Sequence, residues 1–302
     1  GRFGPEDRLS IAENRAPRLD VLELQDRLRA DLLDFRAVDA ERERNPIVAG
    51  LVKTAGLSAA LAWIGCRRRA DYDAVFTTGE DIGLPYAAFR KVQRGRRPRH
   101  VMIAHTLAPQ KKQRMVRLLR LASEVDSTLC YATVEQRLIE SLGFPDVQRI
   151  AFHADTEFFR PDPAVTAEPD LLSAAGQLLR DYDSLVEAVR PLPVRLQIAA
   201  GSPWIDQPLK PKQSLPDNVT WGRLDRFALR NLYARSALCV VPIDENDYQT
   251  GISTILEMMA MGKCVVATKT RGQTDTIVDG ENGIYVPPSD VGALRSTIER
   301  LL

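Results

Sequence analysis

Gly251, Ser253 and Thr254 open an apolar, helix-patterned run that carries a single acid, Glu257. A helix start offers N–H groups without internal partners, and two hydroxyls beside them complete a concave site for phosphate oxygens. Serine and threonine in this position also act as plain N-caps. Glu257 stands one turn past Ser253 among Ile255, Leu256, Met258, Met259, Ala260 and Met261. A carboxylate there can accept both hydroxyls of a ribose diol, and the plainer reading is a surface acid on the helix's polar face. Gln249, at the tip of the preceding loop, has the reach to bond a sugar hydroxyl. Arg180 follows the loop GQLL and begins a helix with Asp181. It is placed either to bind a diphosphate bidentately or to pair with Asp181 or Asp183. His105 closes the run HVMIA, and Glu80 follows DAVFTT in the same topological position. In a parallel sheet both face a cleft between domains, His105 to hold a sugar hydroxyl or carbonyl and Glu80 to orient or deprotonate an acceptor. Structural roles for the two weigh equally at this point.

The elements that must position these residues alternate strand and helix, which argues for α/β architecture with parallel sheets. In the first half, strands are expected at 31–35, 73–78, 100–104, 128–131 and 149–152. Helices are expected at 21–30, 47–66, 84–92, 111–122 and 134–142, the last closed by Gly143. The segment FRPDPAVTAEP, with three prolines, reads as a linker, and divides the chain into residues 1–158 and 159–302. The second half gives strands at 171–175, 194–199, 219–221, 238–241, 264–267 and 284–286, with helices at 182–189, 224–234, from Gly251 to Gly262, and 291–302. The apolar run Leu238–Val241, the loop after it, the helix opened by Gly251, the strand after Gly262 and the loop from Lys269 to Asp275 bring two loops to one sheet edge, where a nucleotide with phosphates would bind. A doubly wound domain opens on a buried strand, and none precedes Val21. A lost first strand, in a fragment or trimmed chain, is therefore an open reading.

Composition bounds the rest. The 302 residues are 44% apolar and 27% charged, with a net charge of +1, enough for two domains with real cores. The overall charge favours neither nucleic acid nor membrane. Three stretches are basic: Arg67–Arg69, Arg90–Arg99 and Lys111–Arg120. They read as solvated faces, with an anionic acceptor or lipid headgroups as the minority reading. GLSAALAWIGC, ahead of three arginines, is too short to span a bilayer and reads as a packed helix, with a membrane-surface position as the minority alternative. The four cysteines are scattered, and Cys130, Cys239 and Cys264 sit in or beside apolar runs, which suggests buried thiols in a reducing compartment. With three histidines no His/Cys metal site is expected. GxSxG, GxxxxGK[ST] and GxGxxG are absent, which removes the common hydrolase, ATPase and Rossmann dehydrogenase readings.

The run LYARSALCVVPIDENDYQTGISTILEMMAMGKCVVATKTRGQTDTIVDGENGIYVPPSD, with AAGQLLRDYDSLVEAV and HADTEFFRPDP upstream, resembles the nucleotide-sugar domain of retaining glycosyltransferases of family 4. The resemblance covers roughly residues 147–302 well and the first half more loosely. It implies a GT-B fold: α/β, two doubly wound Rossmann-like domains facing across a cleft and closing to exclude water. It implies hexosyl transfer from a nucleotide sugar to an acceptor hydroxyl with retention, without a metal or other cofactor. The acceptor class (glycan, lipid or small molecule) stays open, nucleic acid is not a partner, and the location is cytoplasmic with peripheral contact at the inner membrane face as an option. By the resemblance Glu257 binds the ribose hydroxyls. Thr250, Gly251, Ile252, Ser253, Thr254 and Gly272 bind the donor, Arg180 neutralises the leaving diphosphate, and His105 contacts the donor sugar. Two positions depart from the family pattern. Gln249 stands where a second glutamate is usual, and Gln177 where an arginine is often found. A sugar-nucleotide epimerase or hydrolase, or a decayed binding protein, are the alternative functions.

Overall fold

The structure is a computed structural model and describes residues 1–201, 207, 209–273 and 275–302. The chain divides into two compact units, unit 1 comprising Gly1–Asp7 and Leu19–Ala151 and unit 2 comprising Arg8–Arg18 and Phe152–Leu302. Five helices precede the first strand: α1 (Pro5–Ala12), α2 (Asp20–Leu28), α3 (Phe35–Arg42), α4 (Pro46–Ala55) and α5 (Leu57–Arg68). Unit 1 then alternates β1 (Ala74–Thr77), α6 (Glu80–Val92), β2 (Arg99–Ile103), α7 (Gln110–Leu119), β3 (Ser127–Cys130), α8 (Thr133–Ser141) and β4 (Val147–Arg149). Its sheet is wholly parallel in the order β1-β2-β3-β4, with Thr77 opposite Met102 and Ile103 opposite Leu129. Leu84, Met102, Leu107, Val116 and Ile139 fill its core.

Two expectations for the first half are corrected. Residues 31–35 form no strand, because Asp34 caps α3 through Arg36 N–H and also takes Phe3 N–H, turning the chain into a helix. The helix expected over 47–66 is two helices. It breaks at Gly56, whose φ of 87° is open to glycine but strained for other residues. The segment GLSAALAWIGC lies in α5, where Ala60, Leu61, Ala62, Ile64 and Cys66 are buried against neighbouring helices, so it is a packed helix. Gly143 takes a φ of 84° after α8, as a helix-ending glycine should.

Unit 2 contains β5 (Glu168–Ala175), α9 (Tyr182–Val189), β6 (Arg195–Ala199), β7 (Val219–Gly222), α10 (Arg226–Arg235), β8 (Ser236–Val241), α11 (Ile252–Ala260), β9 (Cys264–Thr268), β10 (Ile284–Val286) and α12 (Val291–Leu301). Its six parallel strands run β10-β9-β8-β5-β6-β7. Strand order reverses between β5 and β8, which makes their carboxyl ends a topological switch point where open α/β sheets bind ligands. Side chains alternate across the pleat, so Leu171 and Ala175 join one core with Val241, Ile255 and Met258. Leu172 and Ala174 join the other with Leu185, Ile198 and Val240. With both faces covered, the strands read as continuous apolar runs, which is why they stand out in the sequence. The proline-rich segment is no free connector: Phe158 and Phe159 are buried in the first of these cores and β5 begins at Glu168. Cys66, Cys130 and Cys239 are buried free thiols, but Cys264 is exposed, since it opens β9 straight after the turn at Gly262. Among the described residues no helix is long and apolar enough to cross a membrane.

Candidate functional site

The switch point of unit 2 brings Arg180 and the start of α11 together. Arg180 follows β5 and is 8% exposed. Its Nε donates to Ala175 O at 3.0 Å, Nη1 to Leu178 O at 2.8 Å and Nη2 to Thr254 Oγ1 at 3.4 Å. Gly176 makes this fold-back possible: its φ is 102°, and a Cβ there would lie 2.3 Å from Arg180 Nη2. Among the described residues no carboxylate forms an ion pair with Arg180. Asp181 instead caps α9 through Ser184 N–H, and Asp183 pairs with Lys212. Burial lowers the Arg180 pKa, against the nearby Tyr182, Tyr233 and Asp244. A guanidinium taken out of water without a counterion costs several kcal/mol, which carbonyl and hydroxyl partners repay only in part. The site therefore favours an incoming anion.

The start of α11 has matching character. Helices α9, α10 and α12 are capped by Asp181, Asp225 and Asp290. Helix α11 starts from Gly251 at φ 79° with no side-chain cap, leaving first-turn N–H groups and the positive end of the helix dipole uncompensated. Ile252 and Thr254 are buried and Ser253 is exposed. Thr250 is fixed beneath them, its hydroxyl donating to Asn246 Oδ1 at 3.0 Å, its N–H to Tyr248 O, and its carbonyl accepting from Gln273 Nε2. Gln249 donates to Thr276 Oγ1 at 3.0 Å while its Oε1 is buried without a partner among the described residues.

Glu257 is 8% exposed, so it is no surface acid. Its Oε1 accepts from Arg226 Nη1 at 3.1 Å, and the buried Tyr233 stands beside it. Burial pushes its pKa up, opposed chiefly by Arg226. Gly272 packs its loop onto the loop after β8: a Cβ would fall 2.1 Å from Tyr248 O, and its N–H donates to Asn246 O at 3.2 Å. Its N–H is thus spent within the protein, and its contribution is to shape the loops. Thr274 of the same loop lies outside the described residues.

Unit 1 gathers His105 and Glu80 at the carboxyl edge of its own sheet. Glu80 opens α6 and is 4% exposed, with Oε2 accepting from His105 N–H at 2.8 Å and Oε1 from Lys112 Nζ at 2.6 Å. Both its oxygens are engaged, and they fix the His105 backbone. The exposed His105 ring uses Nε2 to meet Thr78 O at 2.9 Å, so that nitrogen carries the proton and Nδ1 is left as an acceptor in the neutral ring. Tyr131 lies against the ring at a centroid distance of 5.6 Å. Glu135, at the start of α8, joins this edge by accepting from Leu107 N–H at 3.2 Å; its Oε1 is buried without a partner among the described residues, and burial raises its pKa.

Sequence reasoning does not single out Gly176, Arg226, Gln273 or Glu135. A glycine directly after an apolar strand is a legible signal for Gly176. Arg226 meets Glu257 only through packing of α10 on α11, which no local spacing announces. Among the described residues no group of three or more His, Cys, Asp or Glu is arranged to hold a metal ion.

Residues 171–302 match the family described as Glycosyl transferases group 1. A sequence comparison with curated proteins finds no match. Among solved structures, sucrose-phosphate synthase from Thermosynechococcus elongatus is similar at a TM-score of 0.66 and 18% identity, over 83% of this chain and 69% of that one. HepE from Anabaena, in complex with UDP-glucose, is similar at a TM-score of 0.62 and 18% identity, over 83% and 72%. An α,α-trehalose-phosphate synthase (UDP-forming) from Burkholderia xenovorans, in complex with glucose-6-phosphate, gives a TM-score of 0.58 at 12% identity, over 82% and 69%. The fold is GT-B, built from Rossmann-like parallel-sheet units, and residues 171–302 carry the match to Glycosyl transferases group 1.

Proposed function

We propose that this protein transfers a sugar from a nucleotide-diphosphate donor to an acceptor hydroxyl with retention of anomeric configuration. The observation that carries the reading is Arg180: a buried cation without a carboxylate partner among the described residues, touching the uncapped start of α11 at the switch point of unit 2. A diphosphate supplies the missing charge. Arg180 and the N–H groups of Gly251 and Ile252 meet its oxygens, with Ser253 and Thr254 beside them. Glu257 accepts the ribose hydroxyls through the carboxylate oxygen that Arg226 leaves open. Gln249 offers its unpartnered Oε1 to a sugar hydroxyl. In unit 1, His105 contacts the donor sugar in this proposal, and Glu80, assigned to the acceptor side, positions His105 through its backbone. HepE was solved with UDP-glucose, which puts uridine donors first in a search.

In the reaction the donor C1–O bond breaks and its electron pair leaves on the diphosphate. The acceptor oxygen bonds to C1 on the same face, and its proton passes to the departing phosphate oxygen. Charge grows on the leaving group, so fixed donors already aimed at it stabilise the transition state more than the ground state. Arg180 and the helix start supply that stabilisation in this proposal, and no metal is assigned a step.

The test is binding and hydrolysis of UDP-, GDP- and ADP-linked sugars without acceptor, in the presence of EDTA. Saturable binding of one donor with slow hydrolysis supports the reading, and an acceptor screen with anomeric analysis by NMR then tests retention. Failure to bind any donor overturns it. Binding without turnover toward any acceptor would point to a donor-binding protein, and fast turnover without acceptor to a hydrolase or epimerase.

A further inference from the structure

A cavity of about 350 Å³ in unit 2 serves none of the groups above. It lies between α10, the end of α11 and the segment before β5, and its lining includes Asn14, Phe158, Arg160, Arg230, Asn231 and Met261. Its floor is apolar and buried, Phe158 and Met261 each being 2% exposed. Its polar groups are dominated by two arginines. Arg230 is held rigidly: its guanidinium lies over the ring of Phe158 at 4.5 Å and over Phe227 at 4.8 Å, and Nη1 donates to Asn14 Oδ1 at 3.2 Å and Phe158 O at 3.5 Å. The remaining edge, Nε with Nη2, makes no hydrogen bond among the described residues, and no carboxylate pairs with Arg230. That edge is the one that grips a carboxylate or phosphate through two parallel N–H···O bonds. Arg160 is exposed at the rim and makes no hydrogen bond or ion pair among the described residues. The one acid in the lining, Asp162, is turned toward its own backbone, accepting from Ala164 N–H at 2.9 Å.

We propose that this cavity is a second ligand site, distinct from the donor site, for a small organic anion with one carboxylate or phosphate group on an apolar body. The acid group would bridge the open edge of Arg230 and Arg160, with Asn231 as a further donor. The apolar body would lie on Phe158 and Met261. The volume falls in the range of small-molecule sites and exceeds what a lone inorganic ion fills. Helices α10 and α11 reach both sites: Arg226 meets Glu257, while Arg230 and Met261, each one turn further on, line the cavity.

The test is titration of the intact chain with benzoate and with phenyl phosphate, followed by amide NMR shifts and calorimetry, without nucleotide so that the result stands apart from donor binding. The expected result is saturable binding of at least one probe, with shifts clustered at Arg160, Arg230 and Met261. Two lost charge-assisted hydrogen bonds should weaken it by about tenfold or more in Arg230→Gln. Which probe binds tighter distinguishes a carboxylate from a phosphate site. Because Arg230 also packs on two rings, Arg160→Gln is the second variant; it removes a rim charge with no hydrogen-bond or ion-pair partner among the described residues and should weaken binding by a few-fold while leaving the melting temperature unchanged. Absence of saturable binding by either probe, or affinity unchanged in Arg160→Gln and in a folded Arg230→Gln, would overturn the proposal.

Discussion

Arg180 and Glu257 share a surrounding, both buried near the start of α11 and opposite in charge, yet each is satisfied differently. Glu257 has Arg226 at 3.1 Å, whereas the partners of Arg180 among the described residues are carbonyls and hydroxyls. Removing Arg180 therefore deletes a charge that waits for a ligand, and in Arg180→Ala kcat/KM should fall by about 100-fold or more, the scale of losing a positioned charge donor at a developing anion. Stability should change little or rise, since a desolvated cation is removed. A melting curve beside the kinetics checks both, and wild-type turnover in a folded variant would move the diphosphate elsewhere. Glu257→Gln keeps the shape but leaves Arg226 without its counterion. Donor KM should rise by about tenfold, as expected for hydrogen bonds to a charged acceptor, with kcat less affected; donor titration by calorimetry reads this directly, and unchanged affinity would remove Glu257 from ribose binding.

At the level of elements, the loops after β8 and β9 act as one piece. Gly272 N–H bonds Asn246 O, Arg271 N–H bonds Glu245 Oε1 at 3.0 Å, and Gln273 holds the Thr250 carbonyl. A Cβ at Gly272 would sit within the backbone of Tyr248, so Gly272→Ala must separate the loops. The expected cost is about 1–3 kcal/mol, with a lower melting temperature and weaker donor binding together; a variant as stable as the wild type would mean that the loops give way freely. This junction also marks where the sequence stops being legible. The strands of unit 2 are plain in it because buried parallel strands are apolar throughout, and Gly251 and Arg180 are plain because their places at an element's edge are local facts. Arg226 against Glu257, the lodging of Gly272 on Tyr248 and the assignment of residues 8–18 to unit 2 depend on packing between segments far apart in the chain. The strand expected at 31–35 fails for a related reason: Asp34 caps a helix with help from Phe3, and periodicity alone carries no trace of that contact.

Across the whole molecule, buried His100 in unit 1 titrates with a sign opposite to that of the buried acids, Glu135 in unit 1 and Glu257 in unit 2. Glu135 offsets part of the His100 loss only as the ordinary carboxylate range is approached. In unit 1, His100 is fully buried between Thr77 Oγ1 at 3.0 Å and Glu124 O at 3.3 Å, with Tyr86 edge-on at 4.7 Å. Burial pulls its pKa down from 6.5 to about 4. The unfolded chain thus takes up a proton near pH 6.5 that the folded unit refuses until about pH 4, and stability falls as pH drops through that window. The slope approaches about 1.4 kcal/mol per pH unit and the sum is of order 3 kcal/mol. In unit 2, burial raises the pKa of Glu257. The folded form there binds its proton more readily than the unfolded chain, so acidification from neutral pH toward the ordinary carboxylate range stabilises this unit. The paired acids with depressed pKa values, Asp126 in unit 1 and Asp155 in unit 2, stay ionised through this window and do not reverse either trend. Unit 1 should therefore open first on mild acidification. Hydrogen exchange between pH 7 and pH 5, corrected for intrinsic rates, should show protection falling in β1, β2 and β3 while β5 and β8 hold. His100→Gln should flatten the loss in unit 1, because the replacement takes up no proton. Equal loss in both sheets, or a wild-type slope in His100→Gln, would show that another group governs the acid response.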